Sequence, residues 1–279
     1  MMTLNKYRQR ALSILEPIHG DREARAIMEL WFERRLKMSK LDQLFVAENL
    51  TQFHSFEQDL LLLSENVPVQ YILEESFFID FWLEVNPFTL VPRPETEELV
   101  RELALWLPNL PLRVLDVGTG SGCIALGLKF LRSDLNCTGV DLQYGAVQTA
   151  ERNAKHLQLD VVFNVLDVLS TSFNEVDVVV SNPPYIPRQE RDLMKNHVVF
   201  HEPDVALFVP DQDPLMFYRR LIELGISQEP TPAKYFAFEI HEDFGPEMLA
   251  LCREYSLKDI TLKEDFQGKN RMIFAKYDR

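Results

Sequence analysis

No stretch of the 279 residues stays apolar long enough to cross a bilayer; a spanning helix needs about 20 such residues. The opening MMTLNKYRQRALSIL lacks the apolar block, roughly 7–15 residues long, that marks a secretory signal. The chain therefore reads as soluble and cytoplasmic, without a membrane partner. Cysteine is scarce. Cys123, Cys137 and Cys252 form no CxxC and no metal-ligand spacing, so they read as reduced and mostly buried. The six histidines look scattered and no HExxH occurs, so no metal is expected. A basic excess is missing too: 29 Lys and Arg face 43 Asp and Glu, a net charge of −14. A DNA-binding protein neutralises phosphates with a basic face. An acidic chain can still carry a local basic patch, but direct DNA binding is not expected. Fixed-period repeats and low-complexity tracts are also absent.

What is present suits one large domain or two ordinary ones: 46% apolar and 26% charged residues, an ordinary globular balance. Residues 1 to about 70 read as compact and helical. Leu4, Tyr7, Ala11, Leu12 and Leu15 share one helical face, ended by Pro17 and Gly20. Asp21 is a candidate N-cap for a second helix carrying Ala24, Ile27, Met28 and Trp31. Leu41, Leu44 and Phe45 suggest a short third helix. Ser55 to Gln58 fits a capping box before a Leu60–Leu63 run. Arg34, Arg35, Lys37 and Lys40 form a basic cluster, either a solvated surface or a docking edge. After the Asn66-Val67-Pro68 break, loose alternation rich in aromatics predicts a hairpin or two short strands over about 76–91. Glu95-Thr96-Glu97 then opens a helix running to about Leu107, its acids suited to the helix N-terminus. Arg93, held between Pro92 and Pro94, reads as a rigid charged corner beside a cleft.

From Leu112 strands and helices alternate: LRVLDV, CIALGLKFL, NCTGVDL, YGAVQTAERNAKHL, VVFNVLDV and VDVVVS. A helix near 213–224, the strand YFAFEI, a helix near 246–254 and two closing strands follow. That order implies a mostly parallel, doubly wound sheet with an antiparallel edge.

One strand ends abruptly in Ser181-Asn182-Pro183-Pro184-Tyr185. Prolines cannot continue a central strand, so Asn182 sits at a strand's carboxyl end, where open α/β sheets place ligands. Asn182 brings a side-chain carbonyl and an NH2, the prolines bring carbonyls, and Tyr185 brings a flat ring. The set suits a planar group carrying an NH2. It also suits a mere rigid turn. Gly118, Gly120 and Gly122 follow another strand end and let backbone approach a ligand at a helix N-terminus. The dinucleotide fingerprint is G-x-G-x-x-G; here Cys123 takes the last position, which disfavours nicotinamide and flavin. Asp141 could accept both ribose hydroxyls, and Asp167 an adenine amine. Beside such a nucleoside site, the group delivered to the amide clamp can be a methyl.

At this point the chain resembles the class I methyltransferases that use S-adenosylmethionine. More closely, PVQYIL (68–73), VPRPETE (91–97), LDVGTGSG (115–122), VDL (140–142), SNPPYIP (181–187), HEPDVAL (201–207) and NRMIFA resemble the N5-glutamine methyltransferases of peptide chain release factors, the PrmC/HemK family. The resemblance implies a Rossmann-like α/β domain over 93–279 with a seven-stranded, mostly parallel sheet and an antiparallel edge. It implies a substrate-docking helical domain over 1–72 and a hairpin linker over 73–92. The donor would be S-adenosylmethionine, held by Asp116, Gly118, Thr119, Gly120, Ser121, Gly122, Asp141, Leu142, Asp167, Val168 and Asn182. The acceptor would be the glutamine of a release factor's Gly-Gly-Gln tip, met by the catalytic set Asn182, Pro183, Pro184 and Tyr185 and by Arg93, Glu95 and Thr96. A monomer is expected. Three places depart from the family pattern: Glu74 replaces a frequent glycine, FVPDQDPL (208–215) replaces a glycine-rich stretch, and Glu239-Ile240-His241 stands for Glu-x-Gly. Competing readings are a ribosomal-protein glutamine methyltransferase, a DNA adenine methyltransferase that flips its base, and a non-catalytic module of the same fold.

Overall fold

A computed structural model describes residues 3–45, 55–173, 175–194 and 196–278. They fall into two compact units, Met1–Glu75 with Lys195–His201, and Ser76–Met194 with Glu202–Arg279. The first unit holds α1 (Leu4–His19), α2 (Asp21–Leu36), α3 (Lys40–Phe45), α4 (Phe56–Ser64) and α5 (Val69–Leu73). Its core packs Trp31 against Phe56, stacked at 5.3 Å, with Phe32, Leu15 and Leu63 around them. Several sequence expectations shift here. Pro17 sits inside the last turn of α1, and Gly20 alone ends the helix, its φ of 78° being one that glycine tolerates. Asp21 is the first helical residue rather than the cap, and its carboxylate accepts from Arg25 Nε at 2.7 Å. No capping box forms, because Ser55 itself is in the αR region and its hydroxyl makes no cap bond. The basic cluster is largely structural. Arg34 pairs with Glu75, and Arg35 donates to buried Asp59 at 2.7 Å and to the Ile72 carbonyl at 2.7 Å. The side chains of Lys40, Leu44 and Phe45 lie outside the described residues. Glu74 holds φ 60° at the end of α5, so a side chain occupies a left-handed position where glycine is cheapest.

The second unit begins with a hairpin, β1 (Glu75–Phe78) and β2 (Phe81–Glu84). It is shorter than the 76–91 expected. Asn86 turns the chain, its side-chain oxygen accepting from Phe88 N–H at 3.0 Å, and Pro87 and Pro92 deny strand pairing to the rest. Then come α6 (Pro94–Trp106), β3 (Arg113–Val117), α7 (Cys123–Leu131), β4 (Asn136–Asp141), α8 (Tyr144–Leu157), β5 (Val162–Val165), β6 (Val178–Ser181) and the short β7 (Ile186–Pro187). Next are α9 (Asn196–His201, in the first unit), α10 (Asp204–Leu207), β8 (Phe208–Val209), α11 (Met216–Ile226), β9 (Tyr235–Glu239), α12 (Gly245–Glu254), β10 (Lys258–Glu264) and β11 (Asn270–Lys276). His197 and His201 stand four apart on α9, an H-x-x-x-H spacing that corrects the reading of the histidines as scattered. The His197 side chain is outside the described residues, and His201 turns a ring nitrogen to the Glu65 carbonyl at 3.1 Å. Among the described residues no group of three possible metal ligands gathers.

The sheet runs β10-β11-β9-β6-β3-β4-β5. β9, β6, β3, β4 and β5 are parallel, and β11 lies antiparallel between β9 and β10. Alternate strand residues feed opposite layers, as pleating demands. Val114, Val178, Val180 and Ala237 pack under α6, α7 and α8, while Leu115, Val117, Val179, Phe236 and Phe238 pack under α11 and α12. Chain order reverses at β3, from which the chain moves first to β4 and β5 and then back to β6. Ligands bind open α/β sheets at such a switch point. Val117 pairs with Ser181, so the glycine loop and the Asn-Pro-Pro-Tyr turn leave the sheet side by side although 64 residues separate them.

Candidate active site

The loop after β3 is pinned from three directions. Gly118 and Thr119 N–H donate to the Val140 carbonyl at 2.9 and 3.0 Å, Gly120 N–H to Asp141 Oδ2 at 2.9 Å, and Gly122 N–H to the Thr119 carbonyl at 2.8 Å. Gly118 (φ 72°) and Gly120 (φ 55°) have open space where a Cβ would stand, so their backbone is accessible from the cleft. Gly122 (φ 84°) does not: a Cβ there meets Leu126, Ala150 and Phe163 at 3.0–3.1 Å. It lets α7 pack. Asp116 supports the loop from beneath, fully buried, accepting from the Thr119 hydroxyl at 2.6 Å and Ala125 N–H at 3.2 Å. Its Oδ1 has no partner among the described residues, and burial pushes its carboxyl up to about 7.

A cleft with about 1070 Å³ of empty space, part of it open to solvent, extends from this loop across the ends of β3, β4 and β6. Gly118, Thr119, Gly120, Ser121, Asp141, Leu142, Asp167, Val168 and Asn182 line it; Asp116 and Gly122 do not. Asp141 accepts from Gln143 N–H with its other oxygen at 2.9 Å. Burial raises its carboxyl, and the N–H bonds partly offset that. Asp167 lies two residues past the observed end of β5, its oxygens accepting from Leu169 N–H at 3.0 Å and the Ser170 hydroxyl at 2.8 Å. Leu142 and Leu169 are exposed leucines that line the cleft and give it an apolar surface. Phe88, missed by sequence reasoning, lies over Gly145 at the start of α8, where a Cβ would come within 2.6 Å of its ring, and it lines the same cleft.

At the other end, Asn182 Nδ2 donates to Thr96 Oγ1 at 3.1 Å, and the Thr96 hydroxyl donates to Glu239 Oε2 at 2.6 Å. Among the described residues the Asn182 oxygen and the Pro183 carbonyl take no donor, and both residues line the cleft. Tyr185 differs from expectation. Its ring packs edge-on to His241 (6.0 Å between centroids) and its hydroxyl donates to Glu239 Oε1 at 3.2 Å, so it braces the turn from behind without lining the cleft. Thr96 is 2% exposed and holds Asn182. Glu95 lies off the cleft, its carboxylate within 3.4 Å of Gln267 Nε2. Arg93 lines the cleft with its charge committed to Glu202, whose side chain is fully buried, at 2.5 Å. Glu202 belongs to HEPDVAL, and that motif is the only signal of it in the sequence. Glu239, 1% exposed and pushed up to about 6 by burial, was visible only as part of the Glu-x-Gly departure. His241, at the glycine position, reaches Glu190 with Nε2 at 3.1 Å. In the FVPDQDPL segment, β8 pairs with β7 and Asp211 accepts from Gln189 N–H at 2.9 Å, which clasps the chain that follows the turn.

A seven-stranded, mostly parallel sheet with an antiparallel edge and a cleft across its carboxyl ends is the fold of a class I methyltransferase. The methyltransferase small domain family model matches residues 97–207. The hMettl16 catalytic domain, solved with the MAT2A 3'UTR hairpin 1, shares the fold: TM-score 0.56 at 15% identity, over 91% of this chain and 90% of that one. Sequence relatives go further. The release factor glutamine methyltransferase of Flavobacterium psychrophilum is 36% identical over 98% of both chains, and that of Bacteroides thetaiotaomicron 34% identical over 94% of this chain and 95% of its own. The chain belongs to the release factor glutamine methyltransferase family.

Proposed function

We propose that this protein transfers a methyl group from S-adenosylmethionine to the side-chain amide nitrogen of the glutamine in the Gly-Gly-Gln tip of peptide chain release factors. The observation that carries it is the pair of free acceptors, Asn182 Oδ1 and the Pro183 carbonyl, beside the cleft. A glutamine NH2 offers two donors to two such acceptors. The cleft suits the cofactor: open glycine backbone for an amino-acid tail, Asp141 for a ribose, and Leu142 and Leu169 with Asp167 for an adenine. When bound, S-adenosylmethionine supplies an electrophilic methyl on a sulfonium. An amide nitrogen is a weak nucleophile because its lone pair is delocalised. Asn182 and Pro183 hold its plane and raise its electron density, and orientation is worth several kcal/mol, roughly 7–11 in favourable cases. Asp141 and Asp167 are the carboxylates lining the cleft, both at its adenosine end. Few charges near the reacting sulfonium would compete with methyl departure. The nitrogen sheds its proton after transfer, so no dedicated base is required.

In this reading the helical segment 1–72 docks the release factor, 73–92 links it to the catalytic domain over 93–279, and Arg93 shapes the acceptor mouth. The enzyme acts as a cytoplasmic monomer without binding DNA. No helix among the described residues is long and apolar enough to cross a membrane, and the −14 charge opposes nucleic-acid binding. The test is transfer of labelled methyl to a release factor, to the same factor with its tip glutamine changed to alanine, and to duplex DNA. Label on the first alone is expected. Label on DNA and not on the factor refutes the reading.

A further inference from the structure

The carboxamide of Asn182 has two faces of opposite meaning. With Oδ1 toward the cleft it accepts from a substrate NH2; with Nδ2 there it repels one. Its shape does not distinguish the two, so something must choose. Thr96 Oγ1 lies 3.1 Å from Nδ2. A threonine hydroxyl has one proton and two lone pairs, and this proton goes to Glu239 Oε2 at 2.6 Å. Only a lone pair is left facing Asn182, and a lone pair selects the NH2 end. While ionised, Glu239 has no proton to give and accepts on both oxygens, the second from the Tyr185 hydroxyl at 3.2 Å.

We propose that Glu239, acting through the Thr96 hydroxyl, is the positioning residue that turns the Asn182 carbonyl into the cleft and so makes the clamp an acceptor of two substrate hydrogens. Glu239 touches no substrate in this scheme. It sits at the end of β9 while Thr96 is on α6 and Asn182 follows β6, so three elements far apart in sequence form one directional chain of hydrogen bonds. A chain of this kind is reversible. A group at 239 able to donate would let Thr96 accept from it and donate to Asn182, which would then present its NH2. Besides Thr96 and Tyr185, the charged groups bearing on Glu239 are Arg271 of β11, which favours its ionised form, and Glu95 of α6, which opposes it. Tyr218 of α11 donates to its main-chain carbonyl at 2.9 Å. Burial raises the carboxyl to about 6, so the chain keeps its direction at neutral pH and loses it as pH falls through that value.

The inference rests on the clamp reading above, and its test separates the two. Three variants, E239Q, T96V and T96S, are compared with the wild type for kcat, for S-adenosylmethionine affinity and for the side-chain amide resonances of Asn182, assigned by their absence in N182A. E239Q can donate and T96V cannot relay. Each should lower kcat on the order of 10²-fold, the cost of one misdirected hydrogen-bonding group in an active site, with cofactor affinity largely kept. The double variant should lose no more than either single one, because both break one chain. T96S keeps the hydroxyl and should recover most of the rate. The Asn182 amide protons should be slow to exchange in wild type and T96S, and fast or shifted in E239Q and T96V. The acid limb of kcat should vanish in E239Q. Wild-type kcat in E239Q, additive losses in the double variant, or unchanged Asn182 resonances would each overturn the proposal. If the wild type leaves release factor unmethylated, the functional reading fails while the resonance comparison still decides this one.

Discussion

Asp141→Asn separates cofactor binding from chemistry. The carboxylate accepts Gly120 N–H and Gln143 N–H, each at 2.9 Å, one on each oxygen. A carboxylate offers about four acceptor positions, so two remain, enough for the two hydroxyls of a ribose. Asparagine keeps one oxygen. Its NH2 must then face one of the two backbone donors, and one ribose hydroxyl loses its acceptor. Hydrogen bonds to a charged group are worth roughly 1.5–3 kcal/mol. Losing one and weakening its neighbour should cost about 2–3 kcal/mol, on the order of 30- to 150-fold in Kd. Calorimetric titration with S-adenosylmethionine and S-adenosylhomocysteine reads this directly. At saturating cofactor kcat should change little, since the interaction is the same in ground and transition states. Binding should also weaken as pH falls, and earlier than for an ordinary carboxylate, because burial raises the Asp141 carboxyl. An affinity within about twofold of wild type, well below one hydrogen bond's worth, would refute the ribose role.

Three further outcomes follow from the backbone and the buried acid. Glu74→Gly should stabilise the protein by about 1 kcal/mol in a chemical melt, because φ 60° costs a side chain roughly 1–2 kcal/mol that glycine avoids while losing more chain entropy on folding; a lower midpoint contradicts this. Gly122→Ala should destabilise by about 2–4 kcal/mol, adding left-handed strain to contacts of 3.0–3.1 Å. Gly118→Ala, with open space around its Cβ, should cost only the strain in a melt but weaken cofactor binding, so equal melting losses would refute the division of labour between the two glycines. Asp116 holds its proton up to about 7 when folded and releases it near the ordinary 3.8 when unfolded. The unfolded state therefore binds fewer protons between those values, and stability falls as pH rises through that window, by at most about 1.4 kcal/mol per unit. Asp116→Asn should remove that slope from urea melts taken across it.

The parallel sheet was legible because buried strands and helices alternate with their own periods, and β6 with its closing prolines could hardly be anything else. The glycine loop was legible because three of ten glycines fall within five residues. The hairpin was overrun because Phe88 and Leu90 look strand-like, while the Asx turn at Asn86 depends on where one side chain points. The capping box failed for the same kind of reason: Ser55 and Gln58 have the right spacing, but the backbone of Ser55 is already helical. The pairing of Val117 with Ser181, which joins donor site and clamp, is a register between strands 64 residues apart, and no local pattern encodes it.

The site shows a finer limit of the same kind. Asn182, Thr96 and Glu239 are all plain in the sequence; the family resemblance points Asn182 to catalysis, cofactor and substrate, and Thr96 to the substrate. Residue types supply donors and acceptors; they do not say which end of an amide faces which neighbour. That is settled by proton count along a chain of contacts. An ionised Glu239 has no proton to give, Thr96 has one, and Asn182 must supply the next. A glutamine at 239 would preserve size, polarity and every spacing in the motifs, and would remove the acceptor-only group that sets the sense of the proposed clamp. Tyr185 illustrates the converse. Its type suggested a flat face for the substrate, whereas its hydroxyl serves the same carboxylate from the other side. On the proposed scheme, the direction of the Asn-Pro-Pro-Tyr turn's hydrogen bonding thus depends on a buried acid that touches none of the reacting atoms.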